Sequence, residues 1–185
     1  ASSNGGAISA YGSLSAENSE FTLNSAKNGG AIESSDANLT LNSCLFKENT
    51  ATDKGGAISA SCSSVENRDL YTMTVTDSDF VQNTATKEFV EGAGSIGGAI
   101  YMYTVKCEFN SGTFVGNTAT QDSGAVSVRG NSIMNVYEVV ATSNSSRYGG
   151  VFYVNSSTLN IISDDQTKVI FGSTNTSDYE TDKNA

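Results

Sequence analysis

The chain has 185 residues, no histidine and a formal net charge of −10, from 20 acidic against 10 basic side chains. That charge sets it against nucleic acid and anionic membrane surfaces as partners, and the missing histidine removes His-based acid–base work, Ser-His triads and most zinc sites. No apolar run reaches the length of a membrane span, and no stretch holds apolar residues at helical spacing.

In chain order, two phrases alternate. Gly5-Gly6-Ala7-Ile8 opens the chain, and Phe21-x-x-Asn24 follows, ending at Ala26. The pair returns as Gly29, Gly30 with Phe46 and Asn49. A third Gly55-Gly56-Ala57-Ile58 is separated from Phe80 and Asn83 by extra residues around Ser61–Asp69. More extra residues, around Lys87–Ser95, precede Gly97 and Gly98; Phe114 and Asn117 follow. Degraded copies complete the series: Ser123–Val126, Val140–Ser145, Gly149-Gly150-Val151-Phe152, and a last one begun by Phe171. The first residues of the six glycine phrases are spaced 24, 26, 42, 26 and 26 apart. A fixed period in this range marks a stack of like supersecondary units, and two insertions of about eight residues in one coil account for the long interval.

Short runs rich in Val, Ile, Thr, Tyr and Phe, broken by Gly, Asn, Ser and Asp, read as strands and turns. After the glycines the pattern alternates: Ile100 and Met102 against Tyr101 and Tyr103, Val126 and Val128 against Ser127 and Arg129, Phe152 and Val154 against Tyr153 and Asn155. The expected fold is all-β, a right-handed single-stranded parallel β-helix of about six to seven coils of 24–26 residues, one domain over residues 1–185. Two inward ladders are predicted. One is Ile8, Ile32, Ile58, Ile100, Val126 and Phe152; the other is Phe21, Phe46, Phe80, Phe114, Val140 and Phe171. Glycine pairs suit sharp corners and close coil contact, and Asn24, Asn49, Asn83 and Asn117 form a column able to bond along the axis. The chain reads as a segment of a longer extracellular protein with a polar tail over 175–185.

Off the ladders, fewer residues suggest chemistry. Asp77 with Asp79, and Asp164 with Asp165, are the two acidic pairs; the first could share a face and hold a hard cation, the second opens a turn. Arg68, Arg129 and Arg147 share no period, so no catalytic cluster emerges and no cofactor is called for. Cys44 reads as an inward filler, while Cys62 and Cys107, on adjacent coils, are candidates for a disulfide. Asn38, Asn144, Asn155 and Asn175 lie in Asn-x-Ser/Thr sequons, about as many as chance gives. Tyr101, Tyr103 and Tyr153, on the outward face near the insertions, are the candidate binding residues.

The stretches Phe46-Lys-Glu-Asn-Thr-Ala-Thr-Asp-Lys-Gly-Gly-Ala-Ile58 and Phe114-Val-Gly-Asn-Thr-Ala-Thr-Gln-Asp-Ser-Gly-Ala-Val126 resemble the repeats of chlamydial polymorphic membrane proteins and of similar surface proteins in some eukaryotic microbes. The resemblance implies a β-helical passenger exposed on the cell surface and linked to adhesion, although the C-terminal outer-membrane barrel of that family is not seen in this sequence. The expected role is therefore non-catalytic adhesion at the cell surface or outside the cell, toward a host or cell-surface receptor or a glycan. The alternative is a building block of an extracellular filament, appendage or coat that contacts other copies. A polysaccharide-active enzyme is a remote third.

Overall fold

A computed structural model describes residues 4–90, 92–163 and 168–177. The chain winds into six coils that build three parallel walls. The first wall contains Ile8–Ala10, Ile32–Ser35, Ile58–Ser61, Ile100–Tyr103, Val126–Arg129 and Phe152–Asn155. The second is a double strip. Its first half runs through Leu14–Glu17, Leu39–Asn42 and Thr72–Thr76, and its second through Glu20–Thr22, Leu45–Lys47 and Ser78–Val81. The long strands Lys106–Val115 and Ile133–Thr142 span both halves, and Thr158–Ile161 and Val169–Phe171 close the strip. The third wall has Ser25–Asn28, Thr50–Lys54, Thr84–Ala85, Thr118–Ala119, Ser145–Ser146 and Thr176–Ser177. This is the expected parallel β-helix.

Corners are made by single left-handed residues. Between the second and third walls stand Leu23, Glu48, Gln82, Gly116 and Ser143, with φ from 53° to 66°. Coils one to three also bend within the second wall, at Asn18, Ser43 and Asp77. Coils four and five run through that point as single ten-residue strands.

The Gly-Gly corner needs both glycines, for different reasons. Gly29 has φ +58, and a Cβ there would lie 2.0 Å from the Ile32 carbonyl oxygen of its own strand. A Cβ on Gly30 would lie 2.0 Å from the Gly56 carbonyl oxygen of the next coil. The first glycine thus makes the turn and the second lets the coils stack. Ser123 takes the first position at φ 60, its hydroxyl donating to the Val151 carbonyl at 2.6 Å.

The asparagine column runs further than its four clearest members. Backbone N–H and Nδ2 of Asn24 both donate to Asn49 Oδ1, and the same pair of bonds links Asn49 to Asn83, Asn83 to Asn117, Asn117 to Asn144 and Asn144 to Asn175. Each Nδ2 from Asn49 onward also donates to the carbonyl of the ladder residue one coil back, as Asn83 does to Phe46 at 2.9 Å. A buried amide is tolerable because donors and acceptor are all used. Residues 175–177 therefore belong to the last coil rather than to a polar tail; residues 178–185, and the Asp164–Asp165 pair, lie outside the described residues.

The aliphatic ladder forms in the expected register, from Ile8 through Ile32, Ile58, Ile100 and Val126 to Phe152. The aromatic ladder does not. Phe114 pairs with Ala141, not Val140, and Ala141 pairs with Phe171. Val140 points outward and is 38% exposed. The fifth copy begins one residue later than its apolar residue suggests, and a slip of one flips the face. Phe21, Phe46, Phe80 and Phe114 stack with centroids 4.7, 4.9 and 5.1 Å apart. At Ala141 the stack is interrupted, and Phe152 of the first wall enters the space. Its ring stands edge-on to Phe114 at 6.5 Å and to Phe171 at 5.9 Å. Phe152, one coil beyond Ala141, thus occupies core space that the small side chain leaves in the aromatic ladder.

Candidate binding face

On the outer face of the first wall the residue type changes from coil to coil. The row Ser9, Glu33, Ser59, Tyr101, Ser127, Tyr153 and the next row Ser35, Ser61, Tyr103, Arg129, Asn155 are in register across the wall. Beside them runs the column just before each glycine pair, in which Asn28, Lys54, Ile96, Asp122 and Tyr148 succeed one another. Inward neighbours keep one chemical type; these positions carry acid, base, amide, hydroxyl and phenol.

Both insertions attach at this face. The first leaves the end of Ile58–Ser61, and the second leads into Ile100–Tyr103. The first contains a 3-10 turn, Val65–Asn67, capped by Ser64, whose hydroxyl accepts from Glu66 N–H at 3.3 Å. Its Arg68 donates to the Asn131 carbonyl at 2.8 Å, two coils further on. The second insertion is pinned by Ser95, which donates through its hydroxyl to the Ala85 carbonyl at 2.6 Å and through its N–H to Thr120 Oγ1 at 2.9 Å. The Arg147 guanidinium covers its Phe89 ring at 4.4 Å.

The three tyrosines have different fates. Tyr101 is buried despite facing outward: its ring lies in register between the small Ser59 and Ser127, with Lys54 Nζ 5.1 Å from the ring centre. Burial, partly opposed by the Arg129 charge, pushes its phenol up to about 12. Tyr153 is half-buried under Arg129, whose guanidinium lies 4.9 Å from the ring centre and is ion-paired with Asp122. Tyr103 is the exposed one, at 47%, and a Cβ on Gly130 would lie 2.6 Å from its ring. Tyr101 and Tyr103 share a cleft of about 280 Å³ with Asn28, Glu33, Lys54, Ser59 and Ser61. Sequence reasoning missed these five because none is in either phrase. Their places were readable, Asn28 and Lys54 before a glycine pair and Glu33 and Ser59 after its Ile, but nothing in the sequence marked them out from other aperiodic positions.

Several expected sites are displaced. Cys62 and Cys107 are not bridged; all three cysteines are free. Cys107 is fully buried in the second wall, in register with Met73 and Met134, whereas Cys62 ends the first wall, its N–H donating to the Tyr103 carbonyl. The two thiols thus sit on different walls, and burial pushes both up from the ordinary cysteine range. Cys44 is the buried filler expected. Asn144 is fully buried in the amide column and Asn175 half-buried there, so neither presents a free amide for glycosylation. Asn38 Oδ1 accepts from Thr72 N–H, and Asn155 is exposed. Asp77 and Asp79 do share a surface, where each accepts a hydroxyl bond, from Ser111 at 2.5 Å and Thr113 at 2.7 Å. Among the described residues no group of three or more His, Cys, Asp or Glu is placed to hold a metal ion, and no helix is long and apolar enough to cross a membrane.

Residues 43–61 match the Chlamydia polymorphic membrane protein repeat. The matched segment includes Phe46, Asn49 and Gly55-Gly56-Ala57-Ile58, so one unit each of the corner, column and ladder lies within it. No curated protein and no solved structure matches the chain. A repeat of this membrane-protein family points to a surface- or outer-membrane-associated protein.

Proposed function

We propose that the chain is a non-catalytic β-helical domain displayed at the cell surface, which adheres to a receptor or glycan through the outer face of its first wall. One observation carries this reading: both insertions attach at the two rims of that face, beside outward rows of mixed chemistry. Binding residues tend to sit on variable positions held by a rigid stack. The matched surface-protein repeat supports the location.

The test shortens both insertions to the length of the neighbouring coil, with Asp-Ala in place of 62–71 and Thr-Asp in place of 86–95, and compares binding to intact cells and glycan arrays. The expected result is a folded monomer that has lost binding. Binding unchanged by the double shortening overturns the assignment of the face. A second reading is a filament or coat component, in which apolar edge residues such as Val154, Ile161 and Phe171, 41–49% exposed among the described residues, would stack on another copy. Concentration-dependent fibres in sedimentation, with no binding to cells or glycans, would establish it.

A further inference from the structure

We propose that the cleft between Asn28 and Tyr103 is a site for a neutral saccharide. The proposal deepens the adhesive reading and rests on it for the exposure of this face. It starts from one acceptor without a donor and one carboxylate with a single side-chain donor. Asn28 Oδ1 is buried and has no hydrogen-bond partner among the described residues, while the Nδ2 of the same amide donates to Asn4 Oδ1 at 3.0 Å. Glu33 is only 7% exposed, and one hydroxyl, from Ser9 at 3.1 Å, donates to it; among the described residues no ion pair reaches it. A buried acceptor without a donor is a standing cost that a hydroxyl-bearing ligand removes.

The rest of the lining narrows the ligand class. Lys54 Nζ and the Ser59 and Ser61 hydroxyls can donate, so the ligand must accept as well as give hydrogen bonds. Tyr103 offers an exposed ring, backed by Gly130, on which the C–H face of a sugar can lie. A polyhydroxylated ring meets all these demands together. An anion would meet Glu33 and a chain of net charge −10. A bare cation would meet Lys54 and leave the aromatic surface unused. An apolar ligand would leave Asn28 and Glu33 uncompensated. The volume, about 280 Å³, lies at the small end of ligand pockets, which suits one or two sugar rings.

The experiment is an amide NMR titration of the whole chain with lactose, maltose and N,N′-diacetylchitobiose, each to about 20 mM, with sialyllactose as the anionic comparator. At least one neutral sugar should shift Glu33, Ser59, Tyr101 and Tyr103 with a Kd of roughly 0.1–10 mM. Tyr103→Ala and Asn28→Ala should each weaken it about tenfold or more, and Thr40→Ala, exposed on the second wall, should leave it unchanged. No shift with any neutral sugar, shifts with sialyllactose alone, or binding that survives Tyr103→Ala overturns the proposal. The two readings fail separately. If the shortened insertions abolish cell binding while Tyr103→Ala does not, the surface role stands and the saccharide site falls.

Discussion

The first wall has two faces that follow different rules. Inward, Ile32, Ile58, Ile100 and Val126 repeat one demand: a branched aliphatic that stacks on its copy in the next coil. Outward, Glu33, Ser59, Tyr101 and Ser127 occupy the same strands in the same register and alternate between carboxylate, hydroxyl and phenol. Strand spacing of about 4.8 Å forces like against like only where neighbours must fill a closed column. On the open side, coil-to-coil variation is tolerated, so a binding surface can be written there without disturbing the stack. Periodic positions therefore report the fold, and aperiodic positions on the same strands report what the fold presents.

The sharpest way to break this contrast is to injure one column and one outward residue. Asn83→Ala deletes an amide that donates to Asn117 Oδ1 and the Phe46 carbonyl and accepts from Asn49 N–H and Nδ2, all buried. The expected loss is about 3–5 kcal/mol, because the partners are left unpaired in the core. Tyr103→Ala, on the exposed face, should change stability by no more than about 1 kcal/mol. Urea denaturation followed by circular dichroism checks both. Equal losses would show that the outer residues hold the stack as firmly as the inner ones.

What could be read from the sequence follows the same divide. The coil count, the Gly-Gly corners, the aliphatic ladder and the position of both insertions came from period alone, because the stack imposes it. Asn28, Glu33 and Lys54 could not be weighted, since a position with no repeated type carries no signal of importance by itself. Tyr101 and Tyr153 were placed on the correct face, but their coverage by Lys54 and Arg129 depends on contacts between coils. Cys62 and Cys107 were matched by coil, yet the corner at Thr104 puts them on different walls. Asn175 escaped the column because the last copy has one extra residue between Phe171 and its Asn. Val140 heads the fifth phrase in the sequence reading, whereas Ser143-Asn144 keeps the corner spacing only if Ala141 starts it.

That slip exposes a place where the inward rule is met by two walls jointly, and a mutant cycle can test it. Ala141→Phe restores the aromatic ladder but collides with Phe152, and should cost about 1–3 kcal/mol by overpacking. Phe152→Ile restores the aliphatic ladder but vacates the space beside Ala141, at about 1–2 kcal/mol. The double variant should recover most of that loss, giving a coupling energy of about 1 kcal/mol or more of favourable sign. Strict additivity would mean that the two ladders pack independently and that Phe152 is not the filler for Ala141.

The smallest effect probes the outward rule. A carboxylate at Glu33 would be intolerable on the inner face, and even on the outer face its burial pushes the carboxyl above its ordinary value of 4.5, against the hydrogen bond from Ser9. A raised folded pKa means that the native state holds this proton more tightly than the unfolded chain does. Glu33 therefore costs stability at neutral pH, and the cost is relieved as pH falls through the folded pKa toward 4.5. Glu33→Gln keeps an acceptor for Ser9 and removes the charge, so it should raise the unfolding midpoint slightly at pH 7. The advantage should vanish once the pH falls below 4.5. Thermal melts of both proteins across that range measure it. A gain at neutral pH that disappears in acid identifies a charge kept at the expense of stability, as a binding surface requires and a solvent face does not; a flat difference across pH would make Glu33 an ordinary solvated residue of the coil.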